Sequence, residues 1–302
     1  MSNKNKLQKF AEMATFANVV QAPPFSELYG SEHSLRGKWS KQFFGNDRPL
    51  VLELGCGKGE YSVGLARRFP EKNFLGVDIK GARIWKGASE ALQSGLQNVG
   101  FLRTRIELIG SFFAPGEVSE IWITFPDPQA KRNRAKKRLT SAGFLTRYRA
   151  FLKPDGVVHL KTDSRQLYDF TLSVIELNRL ECIDSTHDLY GSGRADDILS
   201  IRTHYETLFM GKGFAITYLQ FRLTGAEPLF DPDPDSIPDA DSIPDADAAP
   251  HNVLIPGAEE SCDSDSLSGA DTTLDAVSGS KEVSDVASLF NKPYNNQNGN
   301  QN

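Results

Sequence analysis

The stretch VLELGCGKGEYS, Val51–Ser62, reads as a buried strand that enters a helix through a turn of alternating glycines, Gly55, Gly57 and Gly59. Glycines at the first strand-to-helix turn let the backbone approach a ligand closely. Their spacing is GxGxG and not the GxGxxG of dinucleotide binders, which argues against a nicotinamide-linked oxidoreductase. One acid, Glu53, stands at the end of the strand before the glycines. A second, Asp78, ends the next apolar run, FLGVDIK, about one strand-helix-strand unit later. A carboxylate there can accept hydrogen bonds from both hydroxyls of a ribose. An ordinary tight turn would also explain the glycines, and a helix cap would explain Asp78.

Outward from this turn, apolar runs of strand length alternate with helical patterns. PLVLEL, NFLGVDI, VGFL, EIWITF and GVVHLKT are the strands. EYSVGLARRF, ARIWKGASEALQSG, the stretch from Ile106 to Phe113, LTSAGFLTRYRAFL and RQLYDFTLSVIELN lie between and after them as helices. Such alternation predicts a parallel sheet covered on both faces. ECIDSTHDL adds a sixth strand and FAITYLQFRL a seventh. The segment between them, IRTHYETLFMGKG, is too short for an ordinary parallel crossover, so the last strand is expected to run antiparallel. Residues 1–48 form an N-terminal extension, with KLQKFAEMATFANVV as one amphipathic helix ahead of Pro23 and Pro24.

The charge is unevenly spread. From Thr224 onward there are 16 of the 39 acids and only two of the 34 bases, which leaves 23 acids against 32 bases in residues 1–223. A basic body with a polyanionic partner and a separate acidic tail follows. The tail, 224–302, repeats DSIPDA in tandem and has too little apolar content to offset the cost of ordering, so it is expected to be disordered. Cys56, Cys182 and Cys262 are far apart and form no CxxC pair, so neither a metal site nor a disulfide framework is expected. Together with the lack of a signal-peptide pattern or a long apolar run, this suggests a cytoplasmic protein without membrane partners.

E-L-G-C-G-K-G, Glu53–Gly59, resembles the first motif of the S-adenosylmethionine-dependent methyltransferases. The resemblance implies a Rossmann-like seven-stranded methyltransferase sheet over residues 49–223. Within it Glu53 would lie near the methionine amino group, Gly55 and Gly57 would border the cofactor, and Asp78 would hold the ribose. The fourth strand of such sheets ends at the reaction centre. Here it runs into FPDPQAKRNRAKKR, Phe125–Arg138, with Asp127 between two prolines and six cations in eight residues: Lys131, Arg132, Arg134, Lys136, Lys137 and Arg138. A cluster of this density suits phosphate contacts, although charge runs also form solvated faces.

FPDP followed by a basic run is a narrower signal. It resembles the bacterial tRNA (guanine-N7-)-methyltransferases. HLKTD, His159–Asp163, is similar to that family's fifth-strand ending, and THYE, Thr203–Glu206, to its T-x-[FY]-E segment. The three segments occur in the family's order over roughly residues 50–223. The resemblance implies methyl transfer from S-adenosyl-L-methionine to N7 of a guanine in tRNA, the variable-loop guanine, by a monomer or homodimer without metal. It further implies Glu53, Gly55, Gly57, Asp78, Arg105 and Asp127 as cofactor-side residues, with Asp127 also catalytic. Lys131, Asp163, Thr203, His204, Tyr205 and Glu206 would contact the substrate. Gln129 stands where the family commonly has Trp. Arg105 aligns where many members have Asp or Asn, and could stack on the adenine. Read from the residues alone, His159 suits a satisfied core histidine, Asp163 a cap of the helix from 165, and Thr203–Glu206 an amphipathic helix. A methyltransferase of another substrate and a non-catalytic tRNA-binding protein on the same fold are the rival readings.

Overall fold

The computed structural model describes residues 5–28 and 30–233. The acidic stretch 234–302 lies outside the described residues. In chain order the elements are α1 (Lys6–Met13), β1 (Val19–Gln21), α2 (Phe25–Leu28), β2 (Leu50–Leu54), α3 (Glu60–Arg68), β3 (Asn73–Asp78), α4 (Gly81–Gln93), β4 (Val99–Arg103), β5 (Val118–Thr124), α5 (Ala142–Arg149), β6 (Leu152–Thr162), α6 (Arg165–Leu177), β7 (Glu181–Thr186), α7 (His204–Met210) and β8 (Thr217–Arg222). Ile106–Ser111 and Arg132–Lys137 are single 3₁₀ segments.

Every residue of β2 is buried, as a strand covered by helices on both faces must be. The sheet order is β1-β4-β3-β2-β5-β6-β8-β7. All pairings from β1 to β6 are parallel, and β8 inserts antiparallel between β6 and β7. The antiparallel last strand agrees with the sequence reading. The strand count does not: eight strands stand among the described residues where seven were expected. The extra one is β1, within a stretch read as a single helix. α1 has a capping box between Asn5 and Gln8 and ends at Met13. The β-branched pair Val19–Val20 then extends the open edge of β4, in register from Val19 opposite Phe101.

Side chains alternate between two cores. On one face Leu52, Leu54, Ile121, Ile123 and Leu160 pack against Leu145 and Tyr148 of α5 and Phe170 and Val174 of α6. On the other, Val51, Phe101 and Trp122 pack against Tyr61 and Val63 of α3 and Ile84 and Ala88 of α4. His159 sits in that second layer, 6% exposed, stacked on Trp122 at 3.8 Å and bonded through Nδ1 to the Tyr218 hydroxyl at 2.8 Å. It is a satisfied core histidine.

The strand order reverses between β2 and β5, so the loops leaving their carboxyl ends diverge to opposite faces and open a crevice. Gly59, at the N-cap of α3 with φ 72°, sets how tightly the first loop closes. A Cβ there would lie 2.5 Å from Phe101 Cε1, whereas one at Gly57, φ 53°, would meet nothing within 4 Å. Gly59→Ala is therefore expected to cost about 2–3 kcal/mol, from left-handed strain plus overpacking, and Gly57→Ala only about 1 kcal/mol from strain. Urea midpoints of the two variants check this, and equal losses would refute the packing role of Gly59.

Candidate active site

A cavity of about 450 Å³ fills the crevice, a volume suited to a nucleotide-sized ligand. Its floor is the glycine loop. Gly55 and Cys56 donate their N–H groups to the Val77 carbonyl at 2.8 and 3.1 Å, which fastens the loop to β3. Asp78 completes the fastening. One carboxylate oxygen accepts the Gly57 N–H at 2.9 Å and the other the Lys80 N–H at 2.7 Å. Each oxygen keeps a further acceptor position toward the cavity. Gly55 and Gly57 line the cavity, and Gly59 does not.

Glu53 lies beneath this floor, 3% exposed. Its carboxylate accepts hydrogen bonds from the Ser62 N–H at 2.9 Å, the Ser62 hydroxyl, and the Thr124 hydroxyl at 2.6 Å. Burial pushes its pKa up to about 7, against the pull of the Ser62 and Thr124 bonds, with the nearby Asp78 charge adding to the rise. Neither Ser62 nor Thr124 was singled out in the sequence. The available signal was a small hydroxyl residue among apolar neighbours, Ser62 within YSV and Thr124 after IWI.

At the carboxyl end of β5 the chain turns through Phe125–Gln129. Asp127 is exposed at the cavity mouth, and its Oδ1 accepts the Gln129 N–H at 3.0 Å. Gln129 also lines the cavity. The cations that follow divide. Lys131, Arg132, Arg134, Lys136 and Lys137 are exposed, and Lys137 reaches the cavity wall; Lys131 stands just before the 3₁₀ segment and does not line the cavity. Arg138 is 2% exposed, so it is not part of the cationic surface that the sequence suggested. The opposite wall carries Lys58, Lys80 and Arg83, the last over the Tyr205 ring at 5.8 Å.

Thr203, His204 and Tyr205 also border the cavity, at the start of α7. The His204 N–H donates to Glu60 at 2.6 Å, which ties α7 to α3. Glu206 departs from the expectation of substrate contact. It is fully buried and pairs with the equally buried Lys161 at 2.7 Å, while accepting the Tyr190 hydroxyl at 2.6 Å and completing a capping box with Thr203. Lys161 donates besides to the carbonyls of Leu199 and Ile201, at 2.5 and 3.2 Å, so the pair anchors the whole β7–α7 connection to β6. A lysine in the apolar strand GVVHLKT was the overlooked sign of this pair. Asp163, half-buried after β6, does not cap α6; Ser164 does, accepting the Leu167 N–H at 3.2 Å. Arg105 is exposed on the wall beyond β4.

These features describe a methyltransferase-type crevice, and comparison with known sequences agrees. The family model described as "Putative methyltransferase" matches residues 47–219. A tRNA (guanine-N(7)-)-methyltransferase of Bacteroides thetaiotaomicron is 56% identical over 230 residues, covering 76% of this chain and 90% of that protein. Its namesakes from Bacteroides fragilis, 54% identical over 76% of this chain and 90% of that one, and from Christiangramia forsetii, 52% identical over 74% and 100%, align to the same extent. The chain belongs to the family of bacterial tRNA (guanine-N(7)-)-methyltransferases.

The methyl donor of the family is S-adenosyl-L-methionine, and the residues here fit it. The left-handed glycines leave open space above Gly57, and Thr104, 5% exposed on the cavity wall, has a buried hydroxyl with no partner among the described residues. Glu53 offers a measurable consequence. Its folded pKa near 7 exceeds the ordinary 4.5, so the folded protein favours the protonated form. That stability is complete below pH 4.5 and is lost as pH rises through 7. Glu53→Gln is free of this loss. Its stability relative to the parent is expected to rise by up to about 3 kcal/mol between pH 5 and 8, measured by denaturant unfolding across pH, and a flat difference would contradict the buried-carboxyl assignment.

Proposed function

We propose that this chain transfers the methyl group of S-adenosyl-L-methionine to N7 of a guanine in tRNA, the variable-loop guanine at nucleotide 46. The observation that carries this reading is Asp127 at the mouth of the cavity, with exposed cations starting four residues beyond it. Guanine N7 holds a lone pair and needs no deprotonation. Its attack on the methyl carbon forms the C–N bond as the C–S bond breaks, and the positive charge passes from sulfur to the purine. The protein's work is alignment and charge stabilisation.

Asp127 supplies the second. One carboxylate oxygen is held by the Gln129 N–H, and the other has no hydrogen-bond partner among the described residues. A carboxylate so fixed can accept from the donor edge of guanine and favour the cation that develops on it. Glu53, Gly55, Gly57 and Asp78 would hold the donor, with Arg105 against its adenine. Lys131 and the exposed cations after it would take phosphates, with Asp163, Thr203, His204 and Tyr205 on the nucleotide side. Glu206 would serve by fixing Thr203 through the capping box. On this reading the chain works in the cytoplasm.

The test is transfer from labelled S-adenosylmethionine to unmodified tRNA, followed by borohydride and aniline cleavage at N7-methylguanine. One cut in the variable loop is expected. Label without that cut would move the target, and tRNA binding without label would favour a non-catalytic binder. Asp127→Asn keeps the acceptor for the Gln129 N–H but loses the charge, so kcat is expected to fall about 100-fold or more with tRNA affinity kept. Replacing Lys131, Lys136 and Lys137 together with Gln is expected to weaken tRNA binding and flatten its salt dependence by about two to three units of slope. An unchanged slope would remove these lysines from the interface.

A further inference from the structure

The turn that carries Asp127 is strained on both sides. Phe125 and Gln129, two residues before and two after it, both have φ of 47°, a left-handed conformation unusual for residues with a Cβ. Such strain persists only where the surroundings hold it. Pro126 and Pro128 restrict the backbone between, but proline supplies no N–H to tie the turn down. At its start, the Phe125 N–H bonds the Lys161 carbonyl at 2.8 Å. The far side is held by Arg138, ten residues further along. Its Nε donates to the Pro128 carbonyl at 3.2 Å and its Nη2 to the Gln129 carbonyl at 3.4 Å. Its guanidinium lies over the Phe170 ring of α6 at 4.4 Å. Gln166 of α6 adds a bond to the Ala130 carbonyl at 3.2 Å. A planar fork reaches two successive carbonyls with its edge while its face stacks flat on a ring; an ammonium has no planar face to stack.

We propose that Arg138 is a positioning residue for methyl transfer. It clamps the carbonyls of Pro128 and Gln129 against α6, fixes the carboxylate of Asp127 at the cavity mouth, and makes no phosphate contact. The clamp rests on the assignment of Asp127 above. It divides the basic run by role: the five exposed cations face solvent, and the sixth turns inward to hold the residue that meets the base. Burial lowers the pKa of the guanidinium; nearby Asp231, whose carboxylate also accepts the Ala142 N–H at 2.7 Å, opposes that and links the chain after β8 to the same clamp.

The test compares Arg138→Met and Arg138→Lys with a Lys136→Gln/Lys137→Gln variant, each in the parent and in an Asp127→Asn background. Three quantities are read at a temperature where all variants are folded. They are deuterium uptake over residues 125–131, tRNA affinity against salt, and kcat at saturating tRNA and methyl donor. Arg138→Met is expected to raise deuterium uptake in the turn. It should lower kcat by about 100-fold, the cost of a misplaced group near 1 Å. Its tRNA affinity and salt slope should stay unchanged, and Arg138→Lys should fall between. In the Asp127→Asn background Arg138→Met should change kcat less than about threefold, because both substitutions remove the same interaction.

A salt slope flatter by about one, with kcat and deuterium uptake intact, would make Arg138 a phosphate ligand and overturn the proposal. Equal losses of kcat in both backgrounds would make it a general stabilising residue and overturn it likewise. Parental rates in Asp127→Asn itself would instead sink the catalytic assignment of Asp127. The deuterium uptake would then still report whether the clamp holds the turn.

Discussion

The carboxylate of Glu53 joins the three elements on which the crevice depends. It stands on β2, takes two hydrogen bonds from Ser62 on α3 and one from Thr124 at the end of β5. The loops that leave β2 and β5 diverge where the strand order reverses. A buried carboxylate with three donors ties the bases of both loops to α3, at the cost of holding an ionisable group in an apolar place. The raised pKa is the measure of that cost. The glycine loop and the Asp127 turn both leave from strands that this one side chain connects.

A second buried charge does the same work on the other flank. Lys161 and Glu206 fix the β7–α7 connection and the start of α7, which brings Thr203, His204 and Tyr205 to the cavity. Buried pairs of this kind contribute little net stability over an apolar pair, and breaking one by removing a single partner is costly. Their use here is geometric. The ammonium reaches two carbonyls of an irregular segment that has no ladder partner, and the carboxylate caps the helix that follows. The site is thus framed by two buried carboxylates, neither of which needs to touch the RNA.

The sequence made the layered architecture legible because its signals are local. Apolar runs, glycine spacing and terminal acids each depend on a few neighbouring residues, and the antiparallel last strand followed from the length of the preceding segment. β1 was hidden because three residues pairing with a sheet edge leave no periodicity, and the helix before it blurred the boundary. Gly55, Gly57, Asp78 and Asp127 were legible as cavity residues. The burial of Glu206 was not legible because THYE is both a capping box and a motif, and only the buried Lys161 decides which way the carboxylate turns. Arg138 was misread for a related reason. Composition records that a cation is present, and the direction of its side chain depends on Phe170, about thirty residues further along on the surface of α6.

The division of charge around the mouth separates two energies that behave differently. In the proposed function the exposed lysines and arginines would act on phosphates through water, so their contribution would weaken as salt rises. In the proposed reaction Asp127 would act over a short distance on a cation that exists only as the methyl group moves, and a contact of that kind is little screened. A carboxylate placed close to cations would ordinarily pair with them and be lost to the chemistry. Here the backbone opposes it: the Gln129 N–H occupies one oxygen, the prolines hold the turn, and the buried cation at the end of the run, Arg138, is committed to carbonyls. The strained turn therefore does more than present Asp127. It keeps an acid without a cation partner among the described residues in the most basic part of the chain, which is the condition under which that acid would respond to charge arriving on a bound base.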